Sequence, residues 1–202
     1  MAQERAGQAQ AAQRRTRLTA RDWADAALAA IRERGLAAVA VEPLAARLGT
    51  TKGSFYWHFT NRDALIDAAL ARWEELRTEE IITAMESEPD PETRLRSLFA
   101  GATASAARDP LEVTLLATAD HPQVAVVLRR VTERRVGYVA HAFEELGFPA
   151  EQARQRGLLA YTSYLGHTQL SHAVPEALPV GAERDSYLEA VVDSLLRRDE
   201  AN

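Results

Sequence analysis

The nine residues Thr51-Lys52-Gly53-Ser54-Phe55-Tyr56-Trp57-His58-Phe59 constrain the fold of this chain more than any other stretch. They follow a short helical pattern that stops at Gly49, and they open with a helix start beside an exposed cation. A segment this short buries little by itself. It makes sense if Phe55 and Phe59 pack inward while Lys52, Ser54, Tyr56, Trp57 and His58 face a polar, anionic partner. A compact helix-turn-helix presents hydrogen-bonding tips to base edges and phosphates of duplex DNA in this way.

The rest of the chain reads as helices separated by caps and breakers. Residues 1–17 are polar and Ala/Gln-rich, with a basic end at Arg14, Arg15 and Arg17, and are expected to form a disordered arm. Thr19 and Asp22 have the spacing of a capping box, and Gly35 stops the helix that follows. Pro43 fixes the start of a second helix, Glu42 to Leu48, because proline is tolerated only in a first turn. Thr51 can cap a third helix over about 52–58, and Thr60-Asn61 can cap a long fourth one over about 62–85. Asp90-Pro91 and Asp109-Pro110 begin a fifth helix to about Ala107 and a sixth to about Ala119. Asp120, followed by Pro122, opens a seventh that Gly147 stops. An eighth runs from after Pro149 to about Ala173, and a ninth covers about 183–198. No stretch reads as a strand, so the expected fold is all-α with about nine helices.

Charge is unevenly spread. The net formal charge of the 202 residues is −5, yet residues 1–65 hold ten basic and six acidic side chains, a surplus of +4. The remainder holds fourteen basic and twenty-three acidic, a balance of −9. A basic head on an acidic body points to an anionic partner at one end. Cysteine is absent, which excludes disulfides and thiolate metal sites. No apolar run is long enough to span a membrane, and the N-terminus lacks the apolar stretch of a secretory signal. A cytoplasmic location is therefore expected, with no membrane partner and no cofactor or metal.

Over about residues 14–70 the sequence resembles the TetR family of bacterial transcriptional regulators. The resemblance rests on Trp23 to Gly35, Leu44-Ala45 to Gly49, the 51–59 segment, and Asn61-Arg62-Asp63-Ala64-Leu65. It implies a flexible basic arm over 1–17, a helix-turn-helix DNA-binding domain over 18–65, and a ligand-binding and dimerisation domain over 66–202. It also implies a homodimer, most often a repressor released from a palindromic operator by a small, largely apolar effector. Carried over by position, Thr51, Lys52, Ser54, Tyr56, Trp57 and His58 fall on the DNA-facing recognition helix. Arg62 falls where a basic residue commonly touches phosphate, and Arg14, Arg15 and Arg17 where many members have a basic arm. Two positions depart from the pattern. Val39-Ala40-Val41 lacks the usual hydroxyl cap before the second helix. Glu42 stands where a base-reading or basic side chain is common, and its carboxylate can accept from cytosine but repels phosphate. Trp57 can pack across the first helix as easily as sit in a groove.

In the body, Trp73, Phe99, Thr118, Tyr138, His141, Tyr161, Tyr164 and His167 are polar or aromatic points on otherwise apolar helices. They suit a pocket that is mostly apolar with a few placed polar groups, and equally a satisfied core or a dimer seam. The eighth helix is apolar almost all round, so a partner subunit is a natural cover for its second side. Gly157, Ala160, Gly166 and Thr168, with Tyr187, Val191 and Leu195 of the ninth helix, are the candidate seam residues. An enzyme is the rival from another class, but no phosphate loop, nucleophile elbow or two-histidine zinc helix occurs. A DNA-binding regulator without a small-molecule effector is the other alternative.

Overall fold

Nine α-helices and no strand make up the computed structural model over residues 18–198, the part of the chain described below. The capping box forms as spaced. The Asp22 amide donates to the Thr19 hydroxyl at 3.2 Å, and the Thr19 amide donates to the Asp22 carboxylate at 2.7 Å, opening α1 (Ala20–Arg34). Gly35 at φ +77° ends it, and a short 3-10 turn (Leu36–Ala38) leads to α2 (Val41–Arg47). No side chain caps α2, as the run Val39-Ala40-Val41 suggested. Gly49 at φ +63° makes the turn into α3 (Lys52–Phe55).

Two expectations fail in this turn. The α3 helix is a single turn, with residues 56–58 continuing as turns whose amides bond to Ser54 and Phe55 carbonyls. Thr51 has the extended backbone of a cap, but its hydroxyl receives no capping bond. Asn61 does cap the next helix, accepting from the Ala64 amide at 2.8 Å. That helix, α4, spans residues 62–85 in three stretches: regular Arg62–Glu74, a π-helical turn Glu75–Glu79, and regular Glu80–Met85. Nothing in the sequence announced the π-turn.

The body continues with α5 (Pro91–Ala106), capped by Asp90, and α6 (Leu111–Leu116), shorter than expected because residues 117–120 loosen into turns. Then come α7 (Pro122–Glu145), α8 (Ala150–Ala173) and α9 (Ala182–Leu196). His121, not Asp120, takes the N-cap position of α7. None of these helices is long and apolar enough to cross a membrane.

Packing joins the pieces. One core cluster runs from Trp23, Ile31, Leu44 and Phe55 of the first three helices through Leu65, Leu70 and Trp73 of α4 to Leu115, Val124 and Val131 in the body. Hydrophobic contact is thus continuous along α4 from the small head into the larger body. The longest seam is α7 against α8. There a Cβ on Gly157 would sit 2.8 Å from the Val136 carbonyl oxygen and 3.1 Å from the Ala140 nitrogen. These neighbours are backbone and cannot swing aside. Gly157→Ala is therefore expected to lose about 1–3 kcal/mol to overpacking, outweighing a helix-propensity gain of roughly 1 kcal/mol. Gly101→Ala on α5, where an added Cβ meets nothing within 4 Å, should keep that gain. Thermal melts of the two variants should move in opposite directions; a Gly157→Ala protein as stable as wild type would refute the tight seam.

Candidate nucleic-acid interface and internal cavity

The aromatic residues of the 51–59 segment divide between core and solvent. Phe55 is fully buried, with its ring 5.4 Å from Trp23 in an edge-on contact and 5.7 Å from Phe59 in a stacked one. Tyr56 and Trp57 are 56% and 81% exposed. Trp57 therefore does not pack across α1; it stands out from the end of α3 beside Tyr56. Ser54 and His58 are half-buried at the edges of the same surface. Gly53 is a feature the sequence reading overlooked. An added Cβ there would meet only the Thr51 hydroxyl, at an ordinary 3.6 Å, so no contact within the protein demands a glycine at this exposed position.

The charged groups beside this surface are tied to one another. Lys52 donates to Glu42 at 2.6 Å, linking α3 to α2 across the turn. This hydrogen bond lowers the Glu42 carboxyl below its ordinary value and raises the Lys52 ammonium above its own. Glu42 thus orients the chain's single lysine. Arg47 makes a two-point contact with Glu33, at 2.9 and 2.8 Å, between α2 and α1. Arg62 reaches back to the α1–α2 connection and donates to the carbonyls of Val39, at 2.6 Å, and Leu36, at 3.0 Å. Arg14, Arg15 and Arg17 lie outside the described residues.

Between α4, α5, α7, α8 and α9 lies an internal cavity of about 110 Å³. Its walls are mainly hydrocarbon and aromatic, with Ile82, Leu95, Phe99 and Val139 among them. One side carries a buried polar cluster. Arg135 donates to Glu112 at 2.6 Å, to the Thr78 hydroxyl at 3.0 Å and to the Arg77 carbonyl at 3.0 Å. The Tyr164 hydroxyl donates to the other Glu112 oxygen at 2.6 Å. Burial, and then the Glu112 charge, push the Tyr164 hydroxyl well above the ordinary phenol value, so it stays a donor. The Arg135 guanidinium also lies 5.5 Å from the centre of the Trp73 ring and about as close to Tyr161 and Tyr164. A buried charge must be paired in this manner to persist.

A second ionic cluster joins the cavity to the head. Arg32, on α1, grips Asp109 with two bonds of 2.8 and 3.1 Å. Asp109 opens α6, lines the cavity and also accepts from Arg77 of the π-turn, which in turn donates to Ser105. Burial alone would raise the Asp109 carboxyl, but the bonds from Arg32 and Arg77 outweigh it and hold the group below the usual carboxylate range.

Of the pocket candidates, Trp73, Phe99, Tyr138, Tyr161 and Tyr164 line the cavity. The other three stand elsewhere. Thr118 bonds back to the Thr114 and Leu115 carbonyls. His141 is exposed, 3.5 Å from Glu144, and lines a neighbouring, more open pocket instead. His167 is buried with its ring stacked on Tyr187 at 5.8 Å, and burial lowers its basicity. Arg135, Glu112, Arg77 and Asp109 were missed. The available signal was an arginine breaking the i, i+4 row Val131–Arg135–Val139 of α7. The two sides of α8 separate as well. Gly157, Ala160, Tyr161 and Thr168 face into the protomer, whereas Leu158, Leu159, Gly166 and Leu170 are exposed. On α9, Tyr187 is exposed at 37%, Val191 is partly buried and Leu195 is buried.

Residues 24–69, which cover most of this head, match the family described as bacterial regulatory proteins, tetR family. A transcriptional regulator from Rhodococcus sp. Rha1 has a similar structure: TM-score 0.68, 20% sequence identity, 89% of this chain and 94% of that one covered. A TetR-family transcriptional regulator from Mesorhizobium loti gives TM-score 0.65, 23% identity and 88% and 94% coverage. SmeT, the repressor of the Stenotrophomonas maltophilia multidrug efflux pump SmeDEF, gives 0.63, 23% identity and 89% of both chains. No curated protein matches in sequence. The head thus carries the tetR-family match, and the chain as a whole shares the helical fold of these regulators.

Proposed function

We propose that this chain is a DNA-binding transcriptional regulator of the tetR type, a homodimeric repressor released from a palindromic operator when a small, largely apolar molecule fills the body cavity. One observation carries the reading: the cavity wall and the DNA-facing head share α4 and the Arg32–Asp109–Arg77 link. In this scheme residues 1–17 are a basic arm, 18–65 the DNA-binding unit and 66–202 the sensing and dimerising unit. Lys52, Ser54, Tyr56, Trp57 and His58 meet bases and phosphates, with Thr51 at the helix start. Glu42 holds Lys52 in place until phosphate competes for it. Arg62 steadies the α1–α2 connection with two donors while its half-exposed guanidinium faces the DNA backbone. The bare backbone at Gly53 allows a phosphate close approach, since glycine there costs stability without an internal reason. Tyr56→Phe and Lys52→Ala should each weaken binding to a site selected from genomic fragments by about 1–3 kcal/mol. The Lys52 variant should also flatten the salt dependence, because one fewer counterion is released. Equal affinities and slopes for wild type and both variants would remove the assignment.

The dimer reading draws on the exposed strip Leu158, Leu159, Gly166 and Leu170 of α8, next to Tyr187 of α9. Apolar side chains this exposed on neighbouring helices are a natural isologous surface. Leu159→Arg or Gly166→Arg should give folded monomers that bind the operator poorly, since two heads must be held at half-site spacing. Val191 is a poorer test position because it also packs in the protomer core. Sedimentation of the wild type at micromolar concentration decides the point: a monomer would contradict it.

Coupling is expected to pass through Asp109. Asp109→Asn should leave operator and ligand each binding the free protein within a few-fold. It should shrink the factor by which one weakens the other, normally worth about 1–3 kcal/mol. With any ligand found by thermal-shift screening, affinities measured with and without operator give that factor in both directions. An undiminished factor in the variant would assign the coupling to α4 alone, and no coupling in wild type would favour a regulator without an effector.

A further inference from the structure

The internal cavity has an outer neighbour. Between the end of α4, the start of α5 and the middle of α7 lies a more open pocket of about 460 Å³, bounded by Glu86, Arg94, Glu133, Arg134, His141 and Glu145. Tyr138 lines both spaces, and among the described residues it alone does so. Its ring is the partition. Its hydroxyl is buried in that partition without a hydrogen-bond partner, a condition proteins generally avoid. A rotation of this one side chain outward would hydrate the hydroxyl and join the two spaces. Gly137, beside it on the outer pocket, contributes no side chain to obstruct the opening.

The two spaces differ in chemistry. The charges lining the inner one are matched: Arg77 with Asp109, Arg135 with Glu112. The remainder of that wall is mainly hydrocarbon and aromatic, with Thr78 and Ser105 bonded to the same arginines. In the outer pocket Arg94 is paired with Glu145, and Arg134 with Glu79. Glu86 and Glu133 are left without a cationic partner among the described residues.

We propose that the two pockets form one site for an amphipathic cation, with Tyr138 as its door. The apolar body lies in the inner cavity against Ile82, Leu95, Phe99 and Val139. The positive head stays in the outer pocket and is attracted by Glu86 and Glu133. The site rests on the effector reading for its regulatory meaning, but its occupation can be measured without DNA. An amphipathic anion would place its head against the same two carboxylates, and a neutral amphiphile would gain nothing from them.

Three probes of equal chain length separate these cases: decyltrimethylammonium, decanol and decanoate, each below its micellar concentration. Binding to the full-length protein is followed by calorimetry and by tryptophan emission, to which Trp73 in the cavity wall contributes. The cation should bind most tightly and the carboxylate least, separated by about tenfold or more, as for a charge beside two partly solvated carboxylates. In the Glu86→Gln/Glu133→Gln protein the separation should fall to about twofold, with decanol unaffected. Tyr138→Ala should speed association of all three probes, whereas Tyr138→Phe, which keeps the partition, should leave it slow. Binding of no probe, preference for decanoate, or a ranking unchanged by the double substitution would overturn the proposal. Equal association rates in the alanine and phenylalanine variants would overturn the door. A cation that binds as described yet leaves operator affinity untouched would preserve the site and defeat the effector reading. An uncharged effector that releases DNA while no probe binds would do the reverse.

Discussion

The guanidinium of Arg135 lies inside a mainly apolar helical body, and much of the architecture follows from having to satisfy it. A buried cation that loses its counter-ion costs about 3–5 kcal/mol, so Glu112 must stay within reach. Glu112 in turn holds the Tyr164 hydroxyl, which fixes α8 against α6. The remaining Arg135 donors go to the Thr78 hydroxyl and the Arg77 carbonyl, both on the π-turn of α4. Insertion of a side chain into the hydrogen-bond ladder is a recognised cause of local helix distortion. Here the widened turn coincides with the point where α7 reaches across to α4. One arginine thus couples α4, α6, α7 and α8, and it does so beside the cavity.

The same turn faces outward as well. Arg77 projects from it to Asp109, and Asp109 holds Arg32 of the head. Two ionic clusters therefore share consecutive residues, Arg77 and Thr78, on one distorted stretch of helix. Arg135 and Asp109 are thus joined through backbone that departs from regular α-helix. The head contributes a different arrangement. Its surplus of positive charge is partly neutralised locally, with Lys52 held by Glu42 and Arg47 by Glu33. Exposed pairs of this type are weak, so phosphate can displace a carboxylate at small cost.

How much of this was legible in the sequence depends on the range of the interaction. Caps and breakers act within four residues, and Thr19, Asn61, Asp90, Gly35 and Gly49 each did what their spacing implied. The division of the 51–59 segment into packed phenylalanines and exposed Tyr56 and Trp57 was readable for the same reason. What depends on a distant partner was not. The π-turn is bonded by Arg135, 58 residues from Arg77 along the chain. Glu112 is buried through contacts with residues of α7 and α8 that lie far along the chain. His141 and His167 have the chemistry of pocket residues, but the first lines only the outer pocket and the second stacks on Tyr187. Gly157 and Ala160 were read as part of a seam between subunits because α8 is apolar on both sides. Their small size instead serves the close approach of α7 within one protomer.

The third helix is one turn long, too short to be stable in isolation. Its shape is imposed by Phe55 clamped between Trp23 and Phe59, so the segment proposed to meet the groove is already ordered before any partner arrives. Docking such a surface forfeits little chain entropy, leaving mainly the side-chain rotors of Tyr56, Trp57 and Lys52 to be immobilised. Discrimination between operators then rests on fit to a rigid template and is expressed in how long a complex survives, whereas the rate of encounter follows the field of the basic head.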